Sequence, residues 1–329
     1  SLKDKLLGIL KAAISLGLVA YILTRPTILE ADWSAILASL RVWPWLVAIV
    51  VYFAAIGLNV LKWQYLLRTL EVHVPYPSLF RHNLVGLFFA NLPLSMVGGD
   101  IARGWDLARH SREQAAPVAV SVLVDRMVGL AAFLVAGVLG LAYAVAGLGR
   151  PDLTWLLVTT GMFLLVFALA FAVLMSERLR HLVERFFGLG PLGRFLPLYQ
   201  KLSDSVQVYR THAGALLVAL GLGLLTVAAT SVVNYLAAMT VGADVPLIWA
   251  FVLTPLTPFA LYIPSIASGL GVNQAVFVAL YHSLTGLIPE APALAMSLVM
   301  QVTIYVSSLP GAVLWWQRRA TAPSPVRSR

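Results

Sequence analysis

Asn91-Leu92-Pro93-Leu94-Ser95-Met96-Val97-Gly98-Gly99-Asp100-Ile101-Ala102-Arg103 interrupts an apolar run with a proline and paired glycines, then supplies an acid and a base. A second interruption, Ile263-Pro264-Ser265-Ile266-Ala267-Ser268-Gly269-Leu270-Gly271-Val272, lies far downstream. In both, a proline precedes a glycine by five positions. Hydrocarbon offers the backbone no hydrogen-bond partners, so irregular chain at membrane depth must be buried in protein or line a wet cavity. Matched Gly/Pro breaks in two halves of a chain point to the binding site of a transporter.

The rest of the chain places those breaks in a membrane. Of 329 residues, 60% are apolar and 11% charged, with a mean hydropathy of +0.87. Soluble domains carry about a quarter charged residues, so the expectation is an all-α polytopic membrane protein. Cysteine is absent, which excludes disulfides and thiolate chemistry. The net charge of +9 does not make nucleic acid an expected partner, because the charge has a topological explanation.

A spanning helix needs about 20 apolar residues. Six segments qualify: 6–24, 44–62, 118–146, 153–175, 213–241 and 291–316. The first follows Lys3 and Lys5 but exceeds the apolar core of a signal peptide and lacks a small-x-small cleavage site, so it reads as a retained span. Two further apolar regions, 79–113 and 247–287, each hold a break in their middle and read as re-entrant hairpins. With the N-terminus inside, this assignment puts 19 of the 23 basic residues in inside segments. That is the skew the positive-inside rule asks for. Arg25, Arg41 and Arg150 fall outside, and Arg126 falls within a span. Lys62 and Arg81 are read as interface anchors, with a place in an inside basic funnel as the alternative.

The result is six full spans plus two re-entrant hairpins in an inverted repeat, with both termini inside. The first repeat is 1–146, with an inside hairpin at 79–113. The second is 147–316, with an outside hairpin at 247–287. The linker 176–212 carries Leu179, Leu182, Val183, Phe186 and Phe187 at helical spacing between charges. This predicts an amphipathic surface helix on an anionic leaflet, or a tether that sets orientation. The tail 317–329 is expected to be disordered.

Candidate binding residues cluster at the breaks. A helix restarting after Gly98-Gly99 would point unsatisfied amides and a positive dipole end into the cavity, which suits phosphate. Asp100 is the N-cap of that helix, a partner of Arg103 or Arg81, or the binder of a coupling proton or a cationic headgroup. Asp125-Arg126 lies inside a span, where charge faces the bundle interior. Asp125 could reach Arg81 or Arg103, and Arg126 could reach Asp100. In the second break, Gly269 and Gly271 precede Asn273 and Gln274. These amides can bond a headgroup, cap a helix or join helices. Asn59, Asn83, Asn91, Asn234 and Gln301 are further polar residues at membrane depth, with Asn91 at the head of the first break. The chain shows no metalloprotease, nucleophile-elbow or phosphate-loop signature, so neither an enzyme nor a cofactor is expected.

These residues resemble the flippase-like membrane family related to the transmembrane region of lysylphosphatidylglycerol synthase. The resemblance runs through Leu92-Pro93, Gly98-Gly99-Asp100 and Arg103, then Ser121 with Asp125-Arg126 and Gly129-Leu130. It continues through Ile263-Pro264, Gly269-Leu270-Gly271 and Leu309-Pro310-Gly311, covering about 6–316. It implies movement of a polar-headed lipid, aminoacylated, polyprenyl-linked or glycosylated, between leaflets of the cytoplasmic membrane. The family's best-known members join this region to an aminoacyl-lipid synthase, which these 329 residues do not contain. Where the family pattern commonly has a base and an acid after the second break, Asn273 and Gln274 stand here. The competing expectations are a secondary transporter of a small soluble anion and a non-transporting membrane partner of a lipid-modifying enzyme.

Overall fold

A computed structural model describes residues 16–91, 103–104, 107, 115–176, 200, 207–262 and 270–321. Its order is α1 (Pro26–Leu29), α2 (Trp33–Ala38), α3 (Val42–Thr69), α4 (Tyr76–Ala90), α5 (Ala115–Ala146) and α6 (Thr154–Met175). There follow α7 (Ala213–Thr240), α8 (Leu247–Leu253), α9 (Val272–Val278) and α10 (Glu290–Thr321). No strand occurs among the described residues. Five helices, α3, α5, α6, α7 and α10, are long and apolar enough to cross a membrane. The chain is a multi-pass helical membrane protein.

Those five coincide with five of the six expected spans. Of the first, 6–24, only 16–24 is described, and it is helical through 23. The tips of both broken regions, with Gly98, Gly99, Asp100 and Gly269, lie outside the described residues, as does the linker helix expected around 179–187. Two boundaries differ. The span expected to end at Lys62 continues to Thr69, because Lys62 is buried against an acid rather than anchored at an interface. The tail expected to be disordered from 317 is helical through Thr321, the last described residue. Gln317, Arg318, Arg319 and Ala320 favour helix, and Pro323 stands just beyond the end.

Residues in the second broken region show how proline shapes a short helix. After α8 the chain tightens into a 3-10 segment, Thr254–Tyr262, containing Pro255 and Pro258. Proline removes the amide that an α-helix would use four residues on, so the segment holds together with shorter-range bonds. Beyond the break, α9 passes into a single π turn, Ala279–Leu284. There the Thr285 hydroxyl donates to the Leu280 carbonyl at 2.7 Å.

Helices α3 and α7 run antiparallel. The Arg41 amide donates to the Thr240 carbonyl at one end, and Lys62 lies beside Gly223 toward the other. Packing then crosses between halves: α4 lies on α10, while α8 and its 3-10 extension lie on α5. Both crossings depend on absent side chains. A Cβ at Gly311 would overlap the Leu84 carbonyl oxygen, and one at Gly140 would fall 3.0 Å from the Val252 Cα.

Two contacts tie together chain on either side of each break. Near the end of α3, Trp63 Nε1 donates to Ser121 Oγ near the start of α5 at 3.0 Å, and Leu107 shares a core with Val72 and Val118. In the other half, Arg150 donates to the Leu284 and Thr285 carbonyls at 3.3 and 3.2 Å. Its guanidinium also lies 5.5 Å over the Trp249 ring. The start of α8 and the end of the π turn therefore meet at one loop.

Candidate functional site

The long helices leave a cavity of about 390 Å³ between their middle portions. Small-molecule sites fall in a range of roughly 300–1,000 Å³. Tyr52 to Asn59 of α3, Asn83 to Asn91 of α4, Arg126 and Phe133 of α5, and Thr226 to Asn234 of α7 contribute to its wall. The second broken region adds Thr257, Pro258, Asn273 and Phe277, and α10 adds Ser297 to Ile304. No carboxylate lines it among the described residues.

One side of this cavity is built on ions. Asp125 is 2% exposed and binds two cations: Arg103 Nη2 at 2.6 Å and Lys62 Nζ at 3.1 Å. Arg103 is buried as well. Its Nη1 donates to Asn83 Oδ1 at 3.2 Å, and its guanidinium plane lies 4.6 Å over the Trp63 ring. Trp63 is fixed in turn by its bond to Ser121. The Lys62 ammonium reaches Asp125 beside Gly129 on α5, and Gly223 on α7 leaves room for the close approach of Ala132 on α5. A lone charge at this depth would be severely penalised. Asp125 bridges two cations, and one of them, Arg103, also lines the cavity. Arg126, the next residue on α5, turns away from Asp125 and also lines the cavity.

The opposite side is neutral. Asn234 Nδ2 donates to Thr254 Oγ1 at 2.9 Å, and Asn273 Nδ2 donates to Gln301 Oε1 at 3.3 Å. Thr226, Thr230 and Asn234 lie four residues apart along one face of α7.

The sequence candidates thus divide. Arg103, Arg126, Asn91 and Asn273 line the cavity, and Asp125 stands immediately behind Arg103. Arg81 is exposed and contributes nothing to the lining. Gly271 adopts φ +84 and opens α9, but its amide is taken: it donates to Gln274 Oε1 at 2.6 Å. Gln274 is therefore the cap of that helix and lies outside the lining. Gly98, Gly99, Asp100 and Gly269 lie outside the described residues. Lys62 corrects the sequence reading, because it is a buried member of the ion cluster rather than an interface anchor. With Arg103 it leaves the count of inside surface charges.

Sequence reasoning missed the role of Trp63 and the threonine face. The four-residue spacing of Thr226, Thr230 and Asn234 is a helical stripe and was visible as such. Nothing local marks Trp63 as the platform for a residue 40 positions on.

The family model for the lysylphosphatidylglycerol synthase TM region matches residues 8–311. This spans most of the chain, which therefore belongs to that family. No curated protein matches it.

Proposed function

We propose that this member of the lysylphosphatidylglycerol synthase TM family is a transporter, not an enzyme. It moves a lipid with a phosphate-bearing headgroup between leaflets of the cytoplasmic membrane. The headgroup occupies the cavity while the tails remain in hydrocarbon. The carrying observation is the ion cluster: a buried anion with two cationic partners, one of which lines the cavity between the long helices. An incoming phosphate competes with Asp125 for Arg103, and Lys62 keeps Asp125 neutralised as Arg103 changes partner. Without that second cation, releasing Arg103 would strand a buried carboxylate, which is strongly unfavourable.

The two breaks fit this reading as hairpins entering from opposite faces, within an inverted repeat whose six spans leave both termini inside. The Trp63–Ser121 and Arg150 contacts support it by bringing the chain on either side of each break to a common end. So does the antiparallel pairing of α3 with α7. Alternating access by rocking of such repeats around a central site is an established transporter design.

The test is reconstitution in liposomes with a leaflet-sidedness assay for anionic phospholipid. The intact protein accelerates exchange, and Arg126→Ala slows it by about tenfold or more, corresponding to one lost charge-assisted contact. Unchanged exchange by an Arg126→Ala protein of native size-exclusion profile removes the assignment.

A further inference from the structure

Hydrogen-bond direction on the neutral wall identifies what it can receive. Thr226, Thr230, Thr257 and Ser297 each donate their hydroxyl hydrogen to a carbonyl of their own segment, at 2.9, 2.9, 2.8 and 2.6 Å. All four residues line the cavity, and a hydroxyl that has donated its hydrogen still has lone pairs with which to accept. Asn234 adds another: its amide nitrogen is engaged by Thr254, while its buried Oδ1 has no hydrogen-bond partner. A buried carbonyl oxygen of this kind is costly unless a ligand supplies the donor. The wall is rich in acceptors and carries no charge.

Two kinds of headgroup bring donors: an ammonium and a polyol. Ammonium is disfavoured, because Arg103 and Arg126 line the same cavity and no described carboxylate does. Hydroxyls donate without charge, and their oxygens can still accept from Asn273 or Gln301. Resting on the transport reading above, we infer that the cavity holds two subsites. Arg103 and Arg126 take a phosphate, and the Thr226–Thr230–Asn234 face takes a hydroxylated group attached to it. The substrate class is thus a phospho-polyol headgroup, such as a glycerol, inositol or single sugar on phosphate, rather than an aminoacylated or zwitterionic one.

Equilibrium binding to the purified full chain tests this without requiring transport. The probes are phosphatidylinositol, phosphatidylglycerol, phosphatidic acid, phosphatidylethanolamine and soluble glycerol 3-phosphate. Phosphatidylinositol and phosphatidylglycerol bind about tenfold tighter than phosphatidic acid or phosphatidylethanolamine, even though phosphatidic acid carries the greater charge. Asn234→Leu reduces that advantage at least threefold and leaves phosphatidic acid affinity unchanged. Equal binding of phosphatidic acid and the polyol lipids overturns the inference, as does tightest binding of phosphatidylethanolamine. Both comparisons use the unmodified protein, so an unfolded variant cannot obscure them. Tight phosphatidylinositol binding without accelerated exchange in liposomes keeps the subsites and removes the transport reading. Glycerol 3-phosphate binding as tightly as the lipids keeps the headgroup chemistry and assigns it to a soluble anion.

Discussion

The two sides of the cavity face the same space with opposite chemistry. The first half supplies Lys62, Arg103, Asp125 and Arg126, with three of these locked to one another. The second supplies Asn234, bonded to Thr254 at 2.9 Å, and Asn273, bonded to Gln301 at 3.3 Å, all neutral groups. The contrast teaches that charge in this membrane site is kept where it can be compensated within one cluster. The half without such a cluster uses amides and hydroxyls, which can lose a partner at far smaller cost.

The largest expected effect of that difference is at Asp125. Asp125→Ala leaves two buried cations facing each other and destabilises the protein by about 3–5 kcal/mol, read as a fall in unfolding temperature in detergent. A loss as small as that from Asn234→Ala would erase the contrast between the halves.

The cross-packing glycines allow a second comparison. Gly311→Ala places a methyl inside contact distance of the Leu84 carbonyl, so α4 and α10 must separate. The expected cost is about 1–3 kcal/mol. Gly140→Ala meets Val252 at the longer 3.0 Å separation and costs less. Parallel thermal melts of the two variants decide whether the crossing between halves is tighter on the α4 side.

The smallest effect sharpens the reading of the second break. Gln274→Ala removes the acceptor for the Gly271 amide at the start of α9, costing about 1 kcal/mol as a lost cap. Lipid affinity should stay within error once the folded fraction is matched. A large loss of affinity at native stability would make Gln274 a ligand contact.

Much of the fold was legible because hydrophobic length is a local property. The runs behind α3, α5, α6, α7 and α10 each exceed what any soluble helix of this composition would show, and the Pro/Gly breaks stand out against them. The site was legible in part. Charge inside a span announces itself, so Asp125 and Arg126 could be named from sequence. The partner of Asp125 could not, since both Arg81 and Arg103 were in reach of the argument. Lys62 was misread because a lysine near the end of an apolar run looks the same whether it meets water or a buried carboxylate.

By itself the sequence determined a multi-pass helical chain with two interrupted segments, because the cost of placing polar backbone in hydrocarbon acts on every residue wherever its neighbours lie. Only the tertiary structure decided which ions meet and which amides are already engaged. Those outcomes depend on helix crossings such as Gly311 on Leu84 and on Lys62 lying beside Gly129. These are close approaches between residues far apart in the chain, and the geometry that sets them is shared among all the helices at once.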